Sequence, residues 1–175
     1  MTAWASRPPR VLVAVAACVA ALGVLMSVAG AVTTGISIDD DRHVTRLNVY
    51  WDQGLYDTEK EIAEAGGKAP PQAYVYGPVT ALIQHAANRA VGFDAPRHAA
   101  RSAQSHTVRH AVIAAIGVVG LLAVAALAWL LLGDWRWGIV AAGALAAIPL
   151  WTGYAMFNSK DIPVATGHSL ATLGL

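Results

Sequence analysis

The sequence predicts an all-α polytopic membrane protein. It has three transmembrane helices plus the start of a fourth, and a long extracytoplasmic first loop holding short interfacial helices. Two observations carry this prediction. Of 175 residues, 56% are hydrophobic and only 13% are Asp, Glu, Lys or Arg, about half the charged share of soluble domains. The apolar residues are concentrated in runs 11–32, 111–132 and 137–157, none of which contains a charged residue or a histidine. About 20 such residues cross a bilayer core, and a soluble fold of this size has nowhere to bury three of them. A soluble globular domain, a disordered chain and a nucleic-acid module are therefore excluded. The net charge of +1 sets up no field toward a polyanion. Cys18 is the only cysteine and lies inside the first run, which rules out an internal disulfide or a cysteine-based zinc cluster.

The elements follow in order. Residues 1–10 form a cytoplasmic N-terminus, because Arg7 and Arg10 stay on the inner face. Residues 11–33 form transmembrane helix 1. Ala29-Gly30-Ala31 resembles a signal-cleavage pattern, but the apolar run exceeds the roughly 7–15 residues of a signal core, which favours a retained anchor. Residues 34–110 form an extracytoplasmic loop. It is too long for its arginines to obey the positive-inside rule, which holds up to about 60 residues.

Within that loop, Val44, Leu47 and Tyr50 predict a helix over roughly Asp40 to Trp51. A second helix over 78–91 places Val79, Leu82, Ile83, Ala86, Ala90 and Val91 on one stripe and Gln84, His85, Asn88 and Arg89 opposite. Two placements fit the second helix: flat on the outer membrane surface, or packed on the rest of the loop. Gly66-Gly67 and Pro70-Pro71 mark a loop between the two helices. Residues 111–132 form helix 2 and 133–136 a cytoplasmic turn, with Arg136 inside and Trp129, Trp135 and Trp137 at interfacial depth. Residues 137–157 form helix 3, and 158–175 an extracytoplasmic loop with the start of a further helix. The stretch from Val164 to Leu175 reads as an apolar helix without a closing anchor, so the expectation is the N-terminal part of a longer protein of the cell membrane.

Two clusters are candidates for chemistry. Asp39-Asp40-Asp41 repel one another unless a cation or hydrogen-bond donors hold them ionised; Arg42, Arg46 or a divalent metal would do so. Asp also favours a helix start, so the triplet reads first as a cap on the following helix and can be cap and site at once. Asn158 to Pro163, with Lys160 and Asp161, emerges on the same side at the same depth. Charges there mark substrate or ion pathways, although Lys160 and Asp161 also read as a helix end at water, with Pro163 as a breaker. His85, His98, His106, His110 and His168 are read as ordinary polar residues without metal-ligand spacing in one helix.

These stretches resemble a family. The segment from Gly35 through Asp39-Asp40-Asp41 to Leu47, followed by Gly54-Leu55-Tyr56, resembles the first outer loop of C-type membrane glycosyltransferases of the protein O-mannosyltransferase-like branch. Tyr76-Gly77-Pro78, Arg109-His110 and, most specifically, Phe157-Asn158-Ser159-Lys160-Asp161-Ile162-Pro163 agree in order and topology. The family's pair is Asp-Glu, so Asp40 stands one methylene short, and Asp41 matches least.

The resemblance implies transfer of a sugar from a polyprenyl-phosphate donor to an acceptor hydroxyl on the outer face, with the bilayer as partner. It implies Asp39 as general base and Asp40 beside it. Lys160 is the first choice of cation for the departing phosphate, with Arg42, Arg109 or a divalent cation as others. Asp161 orients Lys160 or binds the acceptor, and His43 supports the acidic pair or serves the core. Family members carry further spans, so this chain alone is expected not to turn over. Two competing readings are a transporter or flippase subunit and a small membrane scaffold.

Overall fold

The computed structural model describes residues 6–68, 77–93 and 102–174; for Ile38 and Asp39 it describes backbone alone. Pro70-Pro71, Tyr76 and His98 lie outside the described residues. All regular structure among the described residues is helical: α1 Arg10–Thr33, α2 Ile38–Gln53, α3 Glu59–Glu64, α4 Val79–Ala90, α5 Ala103–Leu132, α6 Trp135–Ala146, α7 Pro149–Tyr154 and α8 Asp161–Gly174.

Two helices, α1 and α5, are long and apolar enough to cross a membrane. Only 17% of the most apolar stretch of α1 is buried. Val11, Val15, Leu22, Leu25 and Val32 point outward, as do Leu122, Leu130 and Leu131 of α5. Water would oppose such a surface, whereas lipid chains accept it. The contacts between helices are made by small residues, as in membrane bundles. A Cβ on Gly143 of α6 would stand 2.5 Å from the carbonyl oxygen of Ala16 in α1, and one on Gly138 would stand 2.6 Å from that of Ala125 in α5. Glycine is what lets α6 lie against both long helices.

The third apolar run is not one helix. α6 ends at Ala146, and α7 restarts with Pro149 at its first position. Proline supplies no N–H and breaks the ladder, and side chains take over the freed groups. The Thr152 hydroxyl donates to the Ala146 carbonyl at 2.8 Å, and the Ser27 hydroxyl of α1 donates to the Thr152 carbonyl at 3.3 Å. Polar side chains thus satisfy backbone carbonyls that the interrupted helix leaves open.

One end of the bundle is closed by charge. Gly133 adopts a left-handed conformation (φ 75°) and ends α5. Asp134 caps α6 and pairs with Arg136 at 3.3 Å and with Arg7 at 3.6 Å. The start of α1 and the 133–136 turn therefore share one end, and α2, α3, α4 and the start of α8 gather at the other.

The loop helices refine the expected positions. α2 begins two residues early because Ser37 and Asp40 form a capping box. α3, which the apolar pattern does not announce, is capped the same way by Thr58 and Glu61. α8 begins at Asp161, with Pro163 inside its first turn. Proline is tolerated there because the first-turn N–H groups have no helical partner, so Pro163 does not break this helix.

Replacing Gly143 with Leu is expected to destabilise the protein by about 1–3 kcal/mol through overpacking, read as a lower thermal midpoint in detergent. Gly153→Ala, where a Cβ meets nothing within 4 Å, is expected to leave that midpoint unchanged or slightly raised.

Candidate functional site

Thirty residues make α5 about 45 Å long, more than the roughly 30 Å of a bilayer core. Its first two turns therefore stand beyond the apolar run, and there its polarity inverts. Ser105, His106, Arg109 and His110 are all buried. α4 is inverted in the same sense: Gln84 and Asn88 face inward, while Val79, Ile83 and Val91 of the predicted apolar stripe are exposed. The helix thus packs on its neighbours through its polar face and turns its apolar face outward, combining features of both predicted placements. Gln84 donates to the Arg109 carbonyl at 3.2 Å, and Asn88 donates to the Ser105 hydroxyl at 2.8 Å.

Asp40 joins this layer from α2. One carboxylate oxygen accepts from the Ser37 N–H at 2.9 Å, the Ser37 hydroxyl at 2.9 Å and His110 Nε2 at 3.0 Å. Burial pushes its pKa up, but hydrogen bonds from His110 and Ser37 outweigh this and hold it below the usual carboxylate value. Asp40 is therefore an ionised, tethered group. The readings of the triplet as cap and as site both apply to it. Arg109 is 2% exposed, with one terminal guanidinium nitrogen lacking a hydrogen-bond partner. Its charge acts on Tyr56 and Asp40.

A second layer lies beside the first. His43 Nδ1 is 2.9 Å from the Tyr56 hydroxyl, and the two rings stack at 6.0 Å. Burial pushes the Tyr56 phenol up to about 12, so it stays protonated. Arg46 binds Glu61 at 3.1 Å and approaches Asp57 at 3.8 Å. Leu47, Tyr56 and Ala81 form the apolar floor beneath.

Above this floor opens a cleft of about 280 Å³, whose described lining includes His43, Tyr56, Thr80, Gln84, Lys160 and Asp161. The distal cluster is held by Asn158. Its side-chain oxygen accepts from the N–H of Lys160 at 2.9 Å and of Asp161 at 2.8 Å, while its amide donates to the Asp161 carboxylate at 2.9 Å. Ile162 anchors the turn in a cluster with Ile113 and Ala155. The cleft shares Gly77, Thr80 and Val164 with an apolar groove of about 600 Å³ between α4, α5 and α8, walled by residues such as Ile83, Ile116, Val119 and Leu170.

The structure thus brings His43 together with Lys160 and Asp161 across one cleft, and Asp40 together with Arg109 in the buried layer behind it. The backbone of Asp39 lies one turn before His43 on α2; its side chain is outside the described atoms. Asp41 and Arg42 are exposed and are not among the described cleft residues.

The sequence reading missed Tyr56 and Gln84 as lining residues, and it missed the histidine pair. His106 and His110 are four apart on one helix, which is ligand spacing. The apolar run begins only at residue 111, whereas the Ser102 cap starts the helix at Ala103. That serine was the available signal.

Burial and the neighbouring Glu61 push Asp57 up to about 6, while Glu61, held by its neighbours, falls to about 2. Folding therefore favours the protonated form of Asp57, a contribution present below about pH 4 and lost as pH rises through 6. Asp57→Asn is expected to remove this part of the pH dependence between about pH 4 and 6, measured by thermal unfolding across a pH series.

No family model, curated protein or solved structure matches this chain.

Proposed function

We propose that the chain belongs to an integral membrane glycosyltransferase that moves a sugar from a polyprenyl-phosphate donor to an acceptor hydroxyl on the extracytoplasmic face. The observation carrying this reading is the continuity of a polar cleft with an apolar groove through Gly77, Thr80 and Val164. A ligand with a charged head and a long hydrocarbon tail fits that pair of surfaces. In this reading α1, α5 and the broken pair α6–α7 are three spans. Arg7 and the 133–136 turn face the cytoplasm, and the cleft opens outside.

Asp39 takes the proton of the attacking hydroxyl. The acceptor oxygen bonds to the sugar's anomeric carbon as the bond from that carbon to the phosphate oxygen breaks, and the polyprenyl phosphate leaves with that electron pair. Lys160, fixed by Asn158 at its backbone, faces the developing negative charge and lowers the barrier. Asp161 keeps the Lys160 turn in place through Asn158. Asp40 is a positioning residue: its oxygen already accepts three hydrogen bonds. Arg109 adds a fixed positive charge behind the cleft, and His43 shapes its wall. Arg42 has no part in this scheme.

In the complete enzyme, Asp39→Asn is expected to lower transfer by about 10²–10⁴-fold with membrane insertion unchanged. Near-normal turnover would remove Asp39 as the base. Val119→Trp, which fills the groove, is expected to raise KM severalfold for a long-chain donor while leaving a short-chain analogue unaffected. Movement of the lipid across liposome membranes with no sugar transfer would instead support a flippase.

A further inference from the structure

We propose that Asp40, His106 and His110 form a binding site for one divalent transition-metal ion of the zinc type. The proposal stands on this cluster alone and holds whether or not the chain transfers sugar. His106 and His110 are four residues apart on α5, so they lie one above the other on the same helix face. Asp40 comes across from α2 to meet them. All three are buried, and one ligand atom from each lies within 4.8 Å of the other two.

The geometry suits an ion. Nitrogen and oxygen ligands stand about 2.0–2.2 Å from zinc, and in a tetrahedron two of them are roughly 3.3 Å apart. His110 Nε2 and Asp40 Oδ2 are 3.0 Å apart, so an ion between them needs only a small adjustment of the side chains. His106 offers a ring nitrogen within 4.8 Å of both, so it closes the third corner by an approach of up to about 1.5 Å.

Donor chemistry narrows the choice of metal. Two imidazoles and one carboxylate favour zinc and its first-row neighbours over calcium or magnesium, which prefer all-oxygen sites. Support from outside the ligand shell is present as well. The Ser37 N–H and hydroxyl each hold the Asp40 carboxylate at 2.9 Å, the kind of contact that orients a metal ligand. Phe157 packs edge-on against the His110 ring with centroids 6.5 Å apart.

Three protein ligands leave a fourth position for water or an anionic oxygen. Asp40 offsets one charge of the ion, and Arg109 adds another positive charge nearby. The filled site is therefore cationic and recruits an anion. Its structural effect is to staple the start of α2 to the outer turns of α5.

The test uses the untagged full-length protein, purified in detergent, stripped with a chelator and dialysed against cobalt(II) or zinc(II). Mass spectrometry of metal content is expected to give about one ion per chain, and cobalt is expected to give the visible d–d bands of four- or five-fold coordination. His106→Ala and Asp40→Asn are expected to weaken cobalt affinity by more than about 100-fold, beyond what an outer-shell change does. His85→Ala is expected to bind as the parent does. A folded parent protein without cobalt bands overturns the proposal, and so does a His106→Ala variant that keeps them. Should Asp40→Asn fail to fold because its cap is lost, the parent spectrum and His106→Ala decide alone.

Discussion

The contact between Asp40 and His110 is the hinge-pin of the outer half of the molecule. α5 changes its solvent along its length: its apolar run carries outward-facing hydrophobic side chains, and its first two turns carry inward-facing polar ones. That inversion is stable only if something polar covers the inner face. Asp40 from α2, with Gln84 and Asn88 from α4, supplies the cover. Each of these side chains would be costly to bury singly; together they satisfy part of one another's hydrogen-bonding capacity, with Gln84 Oε1, Asn88 Oδ1 and His110 Nδ1 left without a hydrogen-bond partner. α2 and α4 are thereby fixed above the bundle, and the cleft between α4 and the Lys160 turn owes its shape to them.

The lower half is governed by a different constraint. Lipid chains are as apolar as leucine, so burial against lipid gives little drive for helices to associate, and close packing must supply it. The glycines of α6 do so by admitting α1 and α5 to near backbone contact. The break at Pro149 would be expensive in such surroundings without donors at hand. Thr152 is such a donor, to the Ala146 carbonyl, while Ser27 serves the Thr152 carbonyl near the end of α7, and both are buried.

How much of this was legible in the sequence depended on which force left its mark there. The two long apolar helices are plain, because a helix apolar on every face leaves an uninterrupted run of hydrophobic residues. Sidedness and depth point to a shared opening for Asp39-Asp40-Asp41 with Lys160 and Asp161, whereas the described cleft sets His43 opposite that pair and Asp40 in the layer behind. The first turns of α5 were missed because a hydrophobic stripe marks a helix only when its buried face is apolar. With Ser105, His106, Arg109 and His110 buried, the periodicity argument has nothing to detect, and the true start is signalled by Ser102 alone. On α4 the stripe marks the helix correctly, but which face packs inward is set by Gln84 and Asn88 and left no apolar mark. The division of helix 3 was foreshadowed by Pro149, yet a long apolar run argued for continuity, and only the positions of Thr152 and Ser27 show how the break is tolerated. α3 is six residues held by a Thr-x-x-Glu cap, too short for any period to emerge.

The unbroken length of α5 has a mechanical consequence. It is a single rod of about 45 Å, gripped at one end where Gly138 meets Ala125 and carrying the buried polar layer at the other. A tilt of about 5° at the gripped end would sweep the far tip through roughly 3 Å, about the length of a hydrogen bond. The fit of two small residues near the 133–136 turn is thus a lever that sets the registry of the buried polar layer at the opposite end of the bundle.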